Sequence, residues 1–296
     1  MQQRIPAIHG HRGARGHRPE NTLAGADFAI RAGCDAIEVD LQRLGDGNVV
    51  LYHDPVVTSR LASHACNGRN FAPLPLTDVG LEELGVFDVG KAHPESDVII
   101  RFPDQQPVSG ARIPSLDEFI SFVADHAPAG VIINLELKSE GQASGDWIRQ
   151  YVGRVMDSVN RFGFIERVFL QSFDWRLAAE ARLQAPELLT GLLTDLQING
   201  TPRIPLPGRP VHWTGGLDLA DFAGSIPQMI LAAGGKVWSS NHLDLTTSQV
   251  REAQALGLPV YCWTVNEASD MERIIAMGVD AIITDYPDRL TSLLGR

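Results

Sequence analysis

Short apolar runs alternate with segments of helical spacing along most of the chain, and the two periods predict strands and helices in turn. Ala7 to His11 reads as the first strand. Asn21 then caps a helix with apolar positions at Leu23, Ala26 and Ile30, closed by Gly33. Ala36 to Leu41 is the second strand. Asp46-Gly47, flanked by alternating apolar residues, predicts a tight turn that returns the chain as Val49 to His53. Between Pro55 and Arg112 the periodicity fails. That stretch carries Cys66-Asn67-Gly68, Pro73, Pro75 and Phe102-Pro103, and reads as a small insertion, because a loop that long is uncommon in a compact domain unless it has a function.

Regularity returns at Ser115-Leu116-Asp117-Glu118, a capping box opening a helix with core spacing at Leu116, Phe119, Phe122 and Val123. Strands follow at Val131 to Leu137, Val168 to Ser172, Leu188 to Leu193, Lys236 to Ser239, Val260 to Val265 and Ala281 to Thr284. The intervening helices run over Trp147 to Arg161, Trp175 to Gln184, Phe222 to Ala233, Gln249 to Leu256 and Met271 to Met277. A Pro-rich loop lies between Asp195 and Gly216. Leaving out the hairpin return, eight strands separated by helices in a chain of 296 residues fit an α/β (β/α)8 TIM barrel. The expectation is one catalytic domain over 1–296, with a β-hairpin after strand two and residues 55–112 as an inserted cap subdomain. A doubly wound open sheet fits less well, since it would spread the strand ends along a line rather than gather them.

The gathering matters because the polar residues cluster where strands end. Glu38 and Asp40 lie two apart on one strand and face one side. A turn centred on Asp46-Gly47 sets Asp40 directly across from His53. Glu136, two before Lys138, repeats the pattern on another strand. Acids gathered without a cation repel and resist burial, so Glu38, Asp40 and Glu136 together suit one divalent cation, Mg2+ or Ca2+, both hard ions that prefer oxygen. The plainer alternative pairs each acid with a surface Lys or Arg. His53 and one histidine of the first strand, His9 or His11, could serve as acid and base on a phosphate ester, because imidazole titrates near neutrality. Arg12 and Lys138 would neutralise phosphoryl oxygens. Zinc fits less well, with no Cys ligand and no paired His at helical spacing.

These residues stand in motifs. His11-Arg12-Gly13-Ala14, Pro19-Glu20-Asn21-Thr22, Glu38-Val39-Asp40, His53-Asp54, Glu136-Leu137-Lys138, Gln171-Ser172-Phe173, Trp263-Thr264-Val265-Asn266 and Thr284-Asp285-Tyr286-Pro287 occur in order nearly from end to end. In this the chain resembles the glycerophosphodiester phosphodiesterase family. The resemblance selects His11 over His9, since His11 directly precedes Arg-Gly. It implies the barrel, the insertion after the His-Asp motif, and hydrolysis of a glycerophosphodiester to sn-glycerol 3-phosphate and an alcohol. It also implies Glu38, Asp40 and Glu136 as metal ligands and His11 and His53 as the acid/base pair. Arg12 and Lys138 would then hold the phosphate, with Gln171 and Trp263 in the substrate cleft. Attack by water, or by a glycerol hydroxyl through a cyclic phosphate, is compatible with this set.

Composition narrows the partners. Net charge is −11, with 44% hydrophobic and 21% charged residues. This argues against nucleic acid and against stable association with an anionic membrane, and for a small-molecule diester. Cys34, Cys66 and Cys262 lack metal-ligand spacing and read as reduced thiols. The first strand starts almost at once, and no apolar run reaches the roughly 18 residues of a membrane span, so a cytoplasmic chain is expected. Two rival readings remain. A lysolipid or sphingolipid phosphodiesterase, like the phospholipase D type of spider venoms, would use apolar residues near the site; Ile204, Leu206, Val211 and Trp213 of the Pro-rich loop could supply such a lip. An inactive barrel binding phosphodiesters would need a lost ligand or histidine, and none is lost.

Overall fold

In the computed structural model, which describes residues 5–64, 71–139, 143–196 and 212–296, the alternating strands close into a ring. β1 (Ala7–Gly10), β2 (Ala36–Arg43) and the short β3 (Val49–Leu51) come first. The ring continues, after the 55–112 segment, with β8 (Ile132–Leu137), β9 (Val168–Ser172), β10 (Leu189–Thr194), β11 (Val237–Asn241), β12 (Val260–Trp263) and β13 (Ala281–Thr284). All neighbours are parallel except β3, which returns antiparallel on β2, and pairing of β1 with both β2 and β13 closes an eight-stranded parallel barrel. The expected strands are all present, with ends displaced by a residue or two.

Helices wrap the ring. They are α1 (Leu23–Arg31), α4 (Leu116–His126), α5 (Gly145–Arg161), α6 (Trp175–Gln184), α7 (Ile226–Ala232), α8 (Thr247–Ala255), α9 (Ala268–Met277) and α10 (Pro287–Leu293). Alternation decides which side chains they meet. Ile37, Val39 and Leu41 of β2, and Ile133, Leu135 and Leu137 of β8, pack outward against α4 and α5 residues such as Phe119, Ile120, Val152 and Val155. Each such burial contributes roughly 1.5–3 kcal/mol. The residues between them, Glu38, Asp40, Asn134 and Glu136, therefore face the lumen, as the period of two requires.

Two local expectations need correction. Thr22, not Asn21, caps α1, its side chain accepting from the Gly25 amide. Asn21 sits at φ 55° and turns inward: its amide nitrogen donates to Asp40 Oδ2 at 2.8 Å and its oxygen accepts from the Asp40 amide at 3.0 Å. The hairpin register is also displaced. Leu41 pairs with Leu51 and Arg43 with Val49, and the Tyr52 amide donates to Asp40 O, so Tyr52 rather than His53 lies opposite Asp40. The loop holds Gly45, Asp46 and Gly47 because Leu44 N bonds Asn48 O, and a three-residue loop shifts the partner by one.

The described residues of the 55–112 segment are structured. They form two short antiparallel ladders, β4 (Val56–Val57) with β6 (Leu74–Pro75) and β5 (Ser63–His64) with β7 (Phe87–Asp88), and two short helices, α2 (Leu81–Leu84) and α3 (Asp97–Arg101). Val57, Leu61, Leu76, Leu84, Phe87, Val98 and Phe102 make a second hydrophobic cluster against Tyr52, Ile113 and Tyr286 of the barrel. Cys34 and Cys262 are buried free thiols. Cys66-Asn67-Gly68 and the prolines Pro202, Pro205, Pro207 and Pro210 lie outside the described residues, as do Ile204, Leu206 and Val211. Among the described residues no helix is long and apolar enough to cross a membrane.

Tight packing of the loop after β1 on α1 yields a stability prediction. Gly13 has φ +84°, and a Cβ there would come within 2.6 Å of the Gly25 backbone, whereas Gly33, at φ +76°, has open space around it. Gly33→Ala is expected to cost about 1 kcal/mol for the left-handed backbone alone. Gly13→Ala should cost at least about twice that, since the loop must also lift off the helix. Urea unfolding of both variants measures this, and equal losses would mean that the contact with Gly25 is relieved at no cost.

Candidate active site at the barrel mouth

Strand register lays the polar residues out in rows. Asp40 pairs with Glu136 and Glu136 with Gln171 across β2, β8 and β9, while Glu38 pairs with Asn134 one layer below. The three acids are buried, and one oxygen from each of Glu38, Asp40 and Glu136 lies within 4.8 Å of the others. Two cations of the protein already share this charge. Arg12 Nε lies 3.0 Å from Asp40 Oδ2, and its terminal nitrogen donates to Glu20 Oε1 at 2.8 Å. Lys138 Nζ sits 2.7 Å from Asp40 Oδ1 and also donates to Glu136. The pairing with Arg and Lys considered from sequence is thus real, but buried rather than on the surface.

That pairing is incomplete. Burial alone would raise the Asp40 pKa, yet Arg12 and Lys138 outweigh it and hold the carboxyl well below its usual range. Glu38 goes the other way: burial, then Asp40 and Glu136, push it well above the usual carboxylate range. Glu38 Oε2 accepts from the Arg12 amide at 2.7 Å, but Oε1 is buried with no hydrogen-bond partner among the described residues. An orphaned buried carboxylate oxygen beside two more acids is what a bound cation would satisfy, so the donor set fits an oxygen-ligated metal ion.

Two histidines flank the acids, each tied to a carboxylate through Nδ1. His11 Nδ1 lies 2.6 Å from Asp285 Oδ1. Asp285 accepts two hydrogen bonds from Arg15, at 3.0 and 3.1 Å, and one from Asn266 at 2.7 Å. Although burial opposes it, Arg15 and His11 hold Asp285 ionised, far below the usual carboxylate pKa. His53 Nδ1 lies 2.7 Å from Asp54 Oδ1. An ionised carboxylate at Nδ1 fixes the proton there and leaves Nε2 as the reactive nitrogen. Burial is the main influence lowering the pKa of both rings; Asp285 opposes it at His11, while Arg12 and Lys138 reinforce it at His53.

His11, Arg12, Glu38, His53, Glu136, Lys138, Gln171 and Trp263 line one cleft of about 610 Å³ at the barrel mouth. Asp40 lies beneath, fully buried. Gln171 Oε1 and Trp263 Nε1 are buried without a protein partner among the described residues. The other first-strand candidate is elsewhere. His9 is in the lumen, 3.3 Å from Asn134 Nδ2 and edge-on to Tyr261, and burial lowers it to about 4. His17 is stacked on Phe28 and bonded to Asp288. Sequence reasoning gave no role to Asp285, Arg15, Asn266 or Glu20. A second pocket of about 540 Å³ adjoins the cleft, sharing His53, Asp54, Glu136, Lys138 and Phe173, and extends between Trp147 and Trp213.

Comparison with known proteins gives the family and the fold. The sequence profile of the Glycerophosphoryl diester phosphodiesterase family matches residues 11–289. The chain is 28% identical to a glycerophosphodiester phosphodiesterase of Caldanaerobacter subterraneus, over 96% of each chain. Its fold is similar to a crystal structure from Silicibacter pomeroyi, of a protein provisionally described as a glycerophosphoryl diester phosphodiesterase. That match has a TM-score of 0.86 and 34% identity, and covers 98% of this chain and 93% of the other. At 20% identity and a TM-score of 0.71, covering 99% and 98%, an Oleispira antarctica phosphodiesterase in complex with the product sn-glycerol 3-phosphate shares the fold.

The acid cluster predicts divalent-cation binding that depends on Glu38. Glu38→Gln keeps the shape of the side chain and removes its charge. It should weaken binding at least roughly tenfold, the scale of losing even a supporting group at a metal site. Calorimetric titration of chelator-treated protein with divalent chlorides measures it; undiminished affinity would remove Glu38 from the ligand set.

Proposed function

Because the chain belongs to the glycerophosphoryl diester phosphodiesterase family and is a phosphoric diester hydrolase, we propose that it splits glycerophosphodiesters to sn-glycerol 3-phosphate and an alcohol at this cleft. The observation that carries the reading is the meeting of two carboxylate-tethered histidines with three acids and two cations around one cavity. The Oleispira protein, whose fold is shared, holds sn-glycerol 3-phosphate.

In this reading Glu38, Asp40 and Glu136 hold one Mg2+ or Ca2+. When bound, such an ion polarises a phosphoryl oxygen and offsets charge as the bond to phosphorus changes. Arg12 and Lys138 are anchored on Asp40, so their positions are set before substrate arrives and little ordering is needed on binding. His11 and His53 present Nε2 to the substrate; one takes a proton from the attacking oxygen, that of water or of a glycerol hydroxyl whose cyclic phosphate a water then opens, and the other gives one to the leaving alcohol. Gln171 and Trp263 offer their unpartnered polar atoms to the substrate. Residues 55–112 act as a cap, since Arg60, Val98, Arg101 and Phe102 from that segment line the same cleft.

A second reading of the substrate has its own observation. The adjoining pocket, between Trp147, Phe173 and Trp213, is in the range of about 300–1,000 Å³ that holds drug-sized ligands. That exceeds the needs of a choline or ethanolamine arm and suits an arm bearing an acyl chain. The acidic chain as a whole favours small soluble diesters.

Activity should therefore require a divalent cation and both histidines. His11→Ala and His53→Ala are each expected to lose at least about a hundredfold in turnover while keeping metal affinity, and His9→Ala and His17→Ala should be milder. Full activity in thoroughly chelated enzyme, or a His9→Ala loss equal to that of His11→Ala, would refute the assignment. Glycerophosphocholine and lysophosphatidylcholine, both below micelle concentration, separate the substrate readings. The soluble diester should turn over faster; faster cleavage of the lysolipid, abolished by Trp213→Ala, would make the second pocket an acyl site.

A further inference from the structure

We propose that the short helix α3, between Ser96 and Phe102, positions both histidines at once, with Asp97 and Phe102 as the positioning residues. The proposal rests on the acid/base reading of His11 and His53. Neither residue touches the reacting atoms; each acts through an arginine on the carboxylate that orients a ring.

The first arm runs from Phe102. Its ring covers the Arg15 guanidinium, 4.6 Å from Cζ to centroid. Arg15 grips both oxygens of Asp285, and Asp285 holds His11 Nδ1. Just beyond the helix, Gln105 donates to the Arg15 carbonyl at 2.7 Å, so the same segment fixes both ends of that residue. The second arm runs from Asp97, whose carboxylate accepts from Arg60 at 2.8 Å. Arg60 reaches the far oxygen of Asp54 at 3.5 Å, and the near oxygen of Asp54 holds His53 Nδ1 at 2.7 Å.

The helix is built to hold this register. Ser96 caps it, accepting from the Val98 amide. Val98 and Phe102, one turn apart, are buried in the second hydrophobic cluster. Ile99 and Ile100 face out, with Ile100 83% exposed, so the helix has a fixed inner face and a free outer one. Rocking this segment about its packed face would move Arg15 and Arg60 together, and with them the directions of both Nε2 atoms.

Stability and function separate here. Asp97 and Arg60 are half-exposed, and such a pair adds little to folding. Displacing a catalytic ring by a fraction of an ångström is by contrast costly to turnover. Asp97→Asn keeps the size of its side chain and removes the charge, while Phe102→Leu removes the ring face together with some buried volume. Each is expected to lower kcat roughly tenfold at a temperature well below both melting midpoints, with KM little changed; the midpoint should hold in Asp97→Asn and fall modestly in Phe102→Leu. Ile100→Ser, on the outer face, should behave as the parent. The two arms end on histidines with different duties, so a diester with p-nitrophenol as leaving group should restore one variant and not the other, because that alcohol leaves without being protonated.

His11→Ala and His53→Ala are measured alongside. If they keep their turnover, the acid/base reading fails. If they lose it while Asp97→Asn and Phe102→Leu match the parent, only the positioning role fails. A kcat loss that follows the melting midpoint, or an equal response of both variants to the activated leaving group, also overturns it.

Discussion

Asp40 is a carboxylate with no exposure to solvent, and the mouth of the barrel is organised by what keeps it charged. An unpaired ion in that position would be costly or would neutralise itself. Asp40 instead gathers Arg12 from the loop after β1, Asn21 from the turn before α1 and Lys138 from the end of β8. Each partner is placed by that demand. Arg12 adopts φ 51° and Asn21 φ 55°, conformations uncommon outside glycine. Removing a partner would leave a buried charge exposed to its neighbours, so the site is held together by mutual need rather than by any single strong bond.

That demand explains where reading the chain alone falls short. Barrel strands were legible because alternation and turn residues are local signals, and the acids and histidines were legible because they end those strands. Asn21 looked like a cap because Asn favours that position; Thr22 serves as well, which frees Asn21 for Asp40. The hairpin was displaced for a similar reason. Asp46 accepts from the Asn48 amide and from the Leu81 amide, both at 2.9 Å, and the second partner comes from the 55–112 segment. A dipeptide rule for turns contains no such partner. Arg15 was silent for a stronger reason: its target, Asp285, is 270 residues away, and only closure of the ring brings the two together.

The two histidines share one device in two environments. His11 and Asp285 are both nearly sealed, and the carboxylate has protein donors on each oxygen. His53 and Asp54 are about a third exposed, with one half-exposed arginine behind them. A sealed dyad keeps its geometry against solvent and salt, while an open one exchanges protons with water more readily. The asymmetry follows from origin. One ring is on a loop that leaves the barrel and is clamped by its last strand, and the other stands where the chain departs into the 55–112 segment.

Closure of the barrel is therefore itself a condition of the geometry at the mouth. His11 follows β1 and Asp285 follows β13, and these strands pair along their length from Ala7 with Ala281 to Gly10 with Thr284. The ladder continues into the site, where the His11 amide donates to the Thr284 carbonyl at 2.8 Å. On the other side of β1, the Gly13 amide donates to the Glu38 carbonyl, and the Arg12 amide to its carboxylate. Polar contacts at the mouth thus stitch β13, β1, β2 and β8 in sequence, each crossing one seam. A barrel that left its first and last strands apart could still bury most of its helical shell. It would lose the carboxylate that fixes His11 and the backbone that presents Arg12, and with them the arrangement that lines the cleft.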